Sequence, residues 1–562
     1  MSTRIERAKK YYKKNGFAKT VKKTGRFLKN QLMQKRVWKY YLASEEELQE
    51  WSKVSFEKQP KLSILIPMYN TPLTFFKELM ECIQGQIYEN WELCLADGSG
   101  RDTEAYEYVR ELQKTDARIK YKRLESNGGI SENTNAALDM ATGEFIVLCD
   151  HDDLITKDAF YHVVKAINED ELIDTLYTDE DKVDMKGKKY FEPSFKPDYN
   201  LDFLRSGNYI CHMFVTRREI AQKVRFVKEY DGAQDFDFIF RCCEASRRVY
   251  HIPRLLYHWR CHLNSTAGNP ESKLYAYEAG TKALQANLER CGIDAVAEMS
   301  QFWGYYVTNY NLVENPKVSL ISTKELSTEV VDSITYDNLE TVLINGEYSP
   351  ANVNRIVRER ATGEILFFVD PRVKKLEQEC FERLLAPLQR DDLASTFGKV
   401  SNMQQVIYSA GMILGVRDSV GRSFPAVEYD NNGYAMRLFV TQNMSASDLT
   451  CAMIKREEFD KVQGMDEGMS YILSAIDLYL KMGTCEKLHM FEPRAKALID
   501  AKVEEGEEWI DFGGIKTSEM EVFQKKWSDE LSRIDKNYNP NFTKAYAGYV
   551  VKTWSEIKKE NR

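Results

Sequence analysis

The chain has 562 residues, of which 43% are hydrophobic and 29% are charged, and its formal net charge is −8. A chain of this length exceeds one ordinary hydrophobic core, so we expect two to four domains. No apolar run approaches the roughly 20 residues that cross a bilayer, the first residues lack the apolar centre of a secretory signal, and the 11 cysteines form no C-x-x-C pair, as in reduced cytoplasmic proteins.

The first 41 residues are strongly basic, with fourteen Lys or Arg against a single acid. Four apolar side chains recur near helical spacing, namely Phe17, Val21, Leu28 and Leu32. This pattern predicts a basic amphipathic helix, which suits an anionic membrane surface. We therefore expect a cytoplasmic protein held at the inner face of the cell membrane. A helix docked on the acidic body of the protein or on another subunit is the alternative, and nucleic acid is the least favoured partner.

From Lys61 the chain alternates β-rich runs with helical stretches. "KLSILIPMYN", "WELCLADGS" and "EFIVLCD" have strand character, whereas "TFFKELMECIQGQ" and "ISENTNAALDMA" have helical character. This alternation predicts a parallel sheet covered by helices on both faces, with ligands beyond the carboxyl ends of the strands. Asp97 and Asp150 both end strands, so we expect them to face the same crevice.

Three carboxylates follow the third of these strands, at Asp150, Asp152 and Asp153. Crowded carboxylates repel one another unless a cation or hydrogen-bond donors neutralise them. Oxygen ligands suit Mg²⁺ or Mn²⁺, so the cluster predicts a metal site. The alternative is that Asp153 caps a helix beginning near Leu154.

Two further carboxylates, Asp235 and Asp237, begin the apolar stretch "DGAQDFDFIFR". One of them could act as a general base on a hydroxyl group, and the other could cap a helix. In "LYHWRCHLNSTA", His258 and His262 flank Arg260. Imidazole is a metal ligand and guanidinium suits phosphate oxygens, although a satisfied structural histidine is an equal alternative.

The acidic run "YTDEDKVD" at 177–184 is predicted to be a loop. A solvated turn is the simplest interpretation. We nevertheless treat Asp179, Glu180 and Asp181 as candidate acceptor-side residues, together with Trp259.

The second half of the chain repeats the first in weakened form. "DMATGEFIVLCDHDD" (139–153) returns as "ERATGEILFFVDPRV" (359–373), and "QDFDFIFR" (234–241) as "SAIDLYLK" (474–481). The carboxylates are mostly lost: Asp97, Asp152, Asp153 and Asp235 become Asn345, Arg372, Val373 and Ala475, whereas Asp237 is retained as Asp477. We infer two copies of one fold, of which only the first is catalytic. The lost Asp235 is then the predicted base, and Asp237 supports the fold.

With "SILIPMYN", "LADGS", "DHDD", "GAQDFDF" and "YHWRCHLNSTA" in this order, residues 60–270 resemble the family 2 glycosyltransferases of the GT-A fold. "YTDEDKVD", "FEPSFKPDYNLDFLRSGNYI" and "YNPNFT" are similar to bacterial members that build surface polysaccharides with two such domains in tandem. The implied fold class is α/β, with two tandem GT-A-like (Rossmann-like, mostly parallel) domains and helical extensions at both ends. The expected segments are a basic helical extension at 1–58, a catalytic domain at 59–312, a degenerate second domain at 313–502 and a helical tail at 503–562.

The resemblance implies a role for each motif residue. Pro67, Tyr69, Asn70 and Arg260 would line the nucleotide-sugar site, and Asp97 would hydrogen-bond the base.

Metal binding and proton transfer are implied in the same way. Asp150 and Asp152 would hold Mn²⁺ or Mg²⁺ against the diphosphate, with His262 as a later ligand and His258 as its substitute. Asp235 would deprotonate the acceptor.

The expected function is metal-dependent, inverting transfer of a sugar from a UDP- or dTDP-linked donor to a hydroxyl of a growing, lipid-linked bacterial surface glycan. An oligomer is compatible with the sequence. A non-catalytic polysaccharide-binding scaffold is one alternative. A sugar nucleotidyltransferase is another, but "PMYNTPLTFF" is not the Gly-rich, basic phosphate loop that it would carry. A glycoside hydrolase would need paired carboxylates but no metal.

Overall fold

The computed structural model describes residues 41–261, 274–344, 349–502 and 517–560. The predicted basic helix lies almost entirely in residues 1–40, outside the described part. Of the described residues, those within 55–550 form one compact unit, and 41–54 with 551–560 belong to another. None of the described helices combines the length and apolar character needed to span a bilayer.

The smaller unit contains helices at Glu45–Trp51 and Trp554–Glu560. The first begins with a capping box: the Glu47 backbone N–H donates to Ser44 Oγ at 3.2 Å, and the Ser44 N–H donates to the Glu47 carboxylate at 2.7 Å. This reciprocal pair satisfies two backbone donors that a helix start leaves open.

The first sheet of the large unit has nine strands. They are β1 (Leu62–Met68), β2 (Trp91–Asp97), β3 (Ile119–Arg123), β4 (Phe145–Leu148), β5 (Leu154–Ile155), β6 (Ile173–Asp184), β7 (Tyr190–Ser194), β8 (Phe214–Arg217) and β9 (Arg248–Cys261). Their order is β3-β2-β1-β4-β8-β6-β9-β5, with β7 beside β6. The strands from β3 to β4 are parallel, as predicted, whereas β8 runs antiparallel to both β4 and β6.

Helices cover both faces of this sheet. They are α1 (Leu73–Gln84), α2 (Glu104–Leu112), α3 (Ile130–Leu138), α4 (Ala159–Glu169), α5 (Leu201–Ser206), α6 (Arg218–Val224), α7 (Gln234–Ala245) and α8 (Leu274–Arg290). Strand β1 is buried on both sides: Leu62, Ile64 and Ile66 pack in one core cluster and Leu65 in another. This alternation is the period of two of a strand between two helical layers.

A hairpin of β10 (Ala295–Met299) and β11 (Tyr306–Tyr310) precedes the second sheet. The following strands are β12 (Val318–Ser322), β13 (Leu339–Leu343), β14 (Ile365–Val369), β15 (Val373–Leu376), β16 (Leu393–Asn402), β17 (Ile407–Ser409), β18 (Met412–Val416), β19 (Ser419–Arg422), β20 (Gln442–Asn443), β21 (Cys451–Lys455) and β22 (Leu488–Ile499). The helices are α9 (Thr328–Asp332), α10 (Pro350–Arg360), α11 (Cys380–Leu385), α12 (Arg456–Lys461), α13 (Tyr471–Thr484), α14 (Thr517–Lys526) and α15 (Ser528–Ser532).

The second sheet repeats the topology of the first, which confirms the two tandem α/β copies. Its order β13-β12-β14-β21-β16-β22-β15 corresponds strand for strand to β2-β1-β4-β8-β6-β9-β5. The register is also repeated, since Leu62 pairs with Phe145 and Val318 pairs with Ile365. We call residues 59–312 the first copy and 313–502 the second copy; these boundaries remain a prediction.

A buried hydrogen-bond network is duplicated with the fold. Ser63 Oγ donates to the Glu92 carboxylate at 2.7 Å, and Ser319 Oγ donates to the Glu340 carboxylate at 2.6 Å. In both copies burial alone would raise the pKa of the glutamate, but hydrogen bonds from neighbouring lysine, threonine and serine groups lower the pKa to about 2. A network repeated at matching positions is strong evidence that one fold was duplicated.

Buried polar contacts join the two copies. Arg390 Nη1 donates to Asp202 Oδ1 at 2.6 Å, and Asn443 Nδ2 donates to Asp202 Oδ2 at 2.6 Å. The side chains of Arg390 and Asp202 are only 5% and 1% exposed. Each charge also has a partner in its own copy, Asp392 at 2.6 Å from Arg390 and Arg205 at 3.6 Å from Asp202, so the contact between the copies completes a buried charge network.

Candidate active site

Asp150, Asp153 and His212 form a compact group of potential metal ligands. One ligand atom of each residue lies within 4.8 Å of the others. A divalent ion with bonds of about 2.0–2.6 Å holds its ligand atoms at up to about 5 Å from one another, so the group fits one ion. The antiparallel pairing of β4 with β8 creates it, because the turn after β4 and the turn before β8 meet at one edge.

Asp153 is the buried member of the group. Its carboxylate accepts hydrogen bonds from the Tyr257 hydroxyl at 2.5 Å and from the Arg260 backbone N–H at 2.7 Å. Burial and the neighbouring charges of Asp150 and Asp152 raise the pKa of Asp153 well above its usual value. An ion here would relieve the repulsion between these carboxylates.

The suggested helix cap at Asp153 is wrong. Leu154–Ile155 is strand β5, and the next helix, α4, begins only at Ala159. Asp153 bonds to β9 instead, because β5 pairs with that strand.

The predicted ligand set and the observed group share Asp150. Asp152 follows in the same turn and is half-buried, but the compact group in the described residues contains Asp153 and His212 in its place. His262 lies outside the described residues. His258 is buried and its Nδ1 is 2.6 Å from Asp181 Oδ1, so it belongs to a structural pair on β6 and β9. His212 was missed because a lone histidine in "NYICHMF" has no ligand spacing.

The predicted nucleotide-site residues gather at the carboxyl ends of β1 and β2. Asp97 is buried and accepts hydrogen bonds from Tyr121 OH at 2.9 Å and from the Ser99 backbone N–H at 2.8 Å. Ser99 Oγ in turn accepts from the Asn70 backbone N–H at 2.9 Å. Tyr69 is 51% exposed beside them.

Pro67 connects this region to the metal group, because its carbonyl lies 3.4 Å from His151 Nδ1. Asp97 and Asp150, between which the sequence predicts a crevice, follow the two strands that flank β1, since β1 lies between β2 and β4.

Arg260 does not face this crevice as expected. Its guanidinium is buried, where it donates to Glu78 Oε2 at 2.6 Å and to the Asp152 carbonyl at 2.6 Å. With its backbone N–H also bound to Asp153, Arg260 holds the shape of the Asp150–Asp153 turn. Its donors are directed into the protein, which corrects the expected phosphate contact.

Asp235 lies in the first turn of α7 and faces the metal group. Asn208 Nδ2 donates to its carboxylate at 2.9 Å. Burial raises the pKa of Asp235, and the charge of Asp150 acts in the same direction, whereas His212 opposes both. A carboxyl with a raised pKa is better suited to accept a proton than an ordinary aspartate.

Asp237, two residues later, has a structural environment. It is fully buried and forms an ion pair with Arg241 one turn along α7. Asp477 in the second copy repeats this pair with Lys481, at 3.2 Å. The side chain retained in both copies therefore stabilises the helix, as expected from the repeat.

The predicted acidic loop at 177–184 is wrong, because these residues form part of the central strand β6. Asp179 is 0% exposed, and its carboxylate binds His251 Nε2 at 2.9 Å and Asn539 Nδ2 at 2.9 Å. This burial excludes Asp179 from contact with an acceptor. The neighbouring Glu180 accepts from the His212 backbone N–H at 3.1 Å.

Protonation of His251 is expected to stabilise the fold. Burial opposes its charge, but the carboxylates of Asp179 and Asp198 outweigh burial and raise the pKa of His251 above 6.5. A raised folded pKa gives stability that is complete below the unfolded pKa of about 6.5 and is lost as pH rises through the folded value. Urea unfolding from pH 5.5 to 8.5 should therefore show a falling free energy of unfolding. The fall should be smaller in His251→Gln, and an identical pH dependence would contradict this assignment.

A cleft of about 460 Å³ is lined by Glu180, which contacts His212 of the metal group. Glu180, Asp181 and Trp259, three of the candidate acceptor-side residues, line it, as does Asn208, the partner of Asp235. The Trp259 ring is 6.1 Å from the His212 ring, edge to face. The cleft is therefore lined by direct neighbours of the predicted base Asp235 and of His212.

At the corresponding edge of the second copy, an arginine side chain takes the place of a metal ion. Arg372 donates two hydrogen bonds to Asp370, the counterpart of Asp150, at 2.8 and 3.0 Å. This guanidinium neutralises the carboxylate that a metal would otherwise use. Asn345, the counterpart of Asp97, lies outside the described residues.

Comparison with known proteins gives a consistent result. Residues 63–225 match the family described as glycosyl transferase family 2. The uncharacterized protein y4gI of Sinorhizobium fredii is 30% identical over 88% of this chain and 58% of its own length. The O-antigen biosynthesis protein RfbC of Myxococcus xanthus is 26% identical over 76% of this chain and 36% of its own length.

A shorter match of 33% identity covers 20% of this chain and 35% of the GalNAc(5)-diNAcBac-PP-undecaprenol beta-1,3-glucosyltransferase of Campylobacter jejuni. The chain thus spans only about a third to three fifths of the length of these curated relatives.

Proposed function

We propose that this chain, whose residues 63–225 match glycosyl transferase family 2, transfers a sugar from a nucleotide-diphosphate sugar to a hydroxyl of a growing bacterial surface glycan. The observation that carries this proposal is the convergence of Asp150, Asp153 and His212 with Asp235 at one sheet edge. The name of RfbC supports a polysaccharide product.

The donor is proposed to lie across the ends of β1, β2 and β4. Asp97 is already oriented by Tyr121 and Ser99, and its remaining acceptor capacity suits the N–H of a pyrimidine base. This position supports a UDP- or dTDP-linked donor, with its diphosphate next to Asp150.

Two carboxylates and an imidazole are a donor set that Mn²⁺ or Mg²⁺ accepts, and Asp150, Asp153 and His212 would hold the ion. Asp152, half-buried in the same turn, is a further proposed contact. When bound, the ion supplies Lewis-acid stabilisation of the charge that develops on the departing diphosphate.

Asp235 is proposed to take the proton from the acceptor hydroxyl. The acceptor oxygen then forms its bond to the anomeric carbon while the bond to the nucleoside diphosphate breaks, which inverts that carbon. Asn208 holds the carboxylate for this step, and one base is sufficient for a direct displacement.

The second copy is proposed to be non-catalytic for two reasons. Arg372 pairs with Asp370 where the first copy would bind a metal, and Ala475 is the counterpart of the proposed base Asp235. A lipid-linked acceptor at the inner membrane face is supported by the undecaprenol in the name of one relative and by the basic residues 1–41. Unchanged liposome binding after deletion of those residues would count against this location.

Calorimetric titration of UDP, dTDP and GDP, with and without Mn²⁺, tests the donor site. We expect one nucleotide to bind in a Mn²⁺-dependent manner. Asp150→Ala should weaken binding at least about 100-fold, since loss of groups that merely support a metal ligand already costs about 10- to 100-fold.

Asp370→Ala is the matched control, because it removes the corresponding carboxylate of the second copy and should leave nucleotide affinity unchanged. If no nucleotide binds, the first copy is not a glycosyltransferase; if Asp370→Ala has the larger effect, the catalytic copy is misassigned.

A further inference from the structure

The cleft beside Asp235 has walls from both copies. Glu180 and Trp259 come from the first copy, Tyr305 comes from the β10–β11 hairpin, and Tyr434 and Ala435 come from the second copy. A volume of about 460 Å³ falls within the range of about 300–1,000 Å³ that small-ligand sites occupy. The second copy thus contributes surface to a cavity that adjoins the reaction centre of the first.

We propose that this cleft binds a neutral sugar unit of the acceptor glycan and that Tyr434 of the second copy forms part of its binding wall. The inference rests on the proposed function and assigns the second copy a role in it. Sugar rings present flat C–H faces that pack on aromatic rings. Five aromatic side chains line the cleft: Phe203, Tyr209, Trp259, Tyr305 and Tyr434.

Tyr434 is held in place by contacts to the first copy. Its hydroxyl donates to the Pro193 carbonyl at 2.7 Å and accepts from the Phe195 backbone N–H at 2.8 Å. Both partners flank the end of β7. These bonds fix the ring at the boundary between the copies, where it remains only half-buried.

The turn that carries Tyr434 has an unusual backbone. Ala435 and Met436 have φ values of +47° and +64°, in the left-handed region, although neither is a glycine. Non-glycine residues persist in this conformation only where surrounding contacts impose it, and such positions concentrate at ligand sites. This observation is independent of the aromatic composition of the wall.

The charges around the cleft favour a neutral ligand. Lys182 is paired with Glu192 at 2.9 Å, and Lys196 is paired with Glu180 at 3.4 Å. An anionic sugar would have to compete with these carboxylates for the lysines. Sugar hydroxyls, in contrast, can donate to the same carboxylates.

Saturation-transfer NMR with methyl β-D-glucoside, methyl β-D-galactoside and methyl β-D-glucuronide tests the inference on the full chain. We expect signals from at least one neutral glycoside and none from the glucuronide. Tyr434→Ala and Trp259→Ala should each weaken the neutral glycoside about 3- to 10-fold, as expected for loss of an aromatic contact. Tyr250→Ala removes an exposed tyrosine that does not line the cleft and is the matched control.

Absence of any glycoside signal, equal binding of the glucuronide, or unchanged affinity in both cleft variants would overturn the inference. Circular dichroism of each variant separates loss of contact from loss of fold, and Trp259→Ala provides a second wall residue if Tyr434→Ala unfolds. Nucleotide titration distinguishes the two proposals. If nucleotide binds in a Mn²⁺-dependent manner but the variants do not change glycoside affinity, only this inference is rejected. If the wild type binds no nucleotide, the proposed function is rejected.

Discussion

Asp235→Asn is expected to slow sugar transfer by about 10²- to 10⁴-fold, because an amide cannot accept the proton of the acceptor hydroxyl. The side-chain amide of Asn208, which donates to Asp235 at 2.9 Å, can rotate to bond the new asparagine, so the local geometry should change little. Donor affinity should remain, since Asp235 lies on α7 whereas the proposed nucleotide contacts lie at the ends of β1, β2 and β4. Rates of nucleoside diphosphate release with acceptor present, compared with calorimetric donor affinity, measure the two effects separately.

Asp237→Asn is the matched control, because it makes the same chemical change one position beyond the neighbouring phenylalanine. Asp237 is fully buried against Arg241, so this variant should lose stability but keep its turnover per folded molecule. Equal losses of turnover in the two variants would remove Asp235 from the role of base.

Arg390→Met is expected to destabilise the large unit by up to about 3–5 kcal/mol, because it removes the closer cationic partner of the buried Asp202 carboxylate and leaves only Arg205, at 3.6 Å. Methionine retains much of the side-chain volume, so the loss should report the charge rather than a cavity. The shift in the urea unfolding midpoint, followed by tryptophan fluorescence, measures it.

Arg355→Met provides the comparison for a surface ion pair. Arg355 and Glu359 are 54% and 56% exposed and lie one helical turn apart in α10, an arrangement worth about 0.3–0.5 kcal/mol. A loss of similar size in Arg390→Met would mean that Arg205 and Asn443 are sufficient partners for Asp202 at the junction between the copies.

Local patterns predicted the scaffold of the first copy well. Hydrophobic periodicity predicted the alternation of strands and helices after Lys61. Sequence similarity predicted that the strand before Asp150 recurs before Asp370, and the repeated strand order confirms both. The acids at strand ends were also identifiable, because a parallel sheet collects its carboxyl ends at one edge.

Long-range partners were beyond such reasoning. His212 gains its importance from antiparallel β8, which the expectation of a mostly parallel sheet did not include. Arg260 and Asp179 carry charges of the kind that binds ligands, but both side chains are buried and contact residues from distant segments. The sequence alone does not tell whether a charged side chain faces a crevice or the protein interior, because its direction depends on how the strands pair.

The contact between Asn539 and Asp179 also bears on how the protein is made. The amide of Asn539 donates to a carboxylate 360 positions earlier in the chain. At about 5–20 residues per second, the ribosome reaches Asn539 roughly 20–70 s after Asp179 has been translated. Throughout that interval the nascent first copy carries an acidic group that lacks this donor. Its final maturation is therefore a late event, completed only after the segment that contains Asn539 has been synthesised.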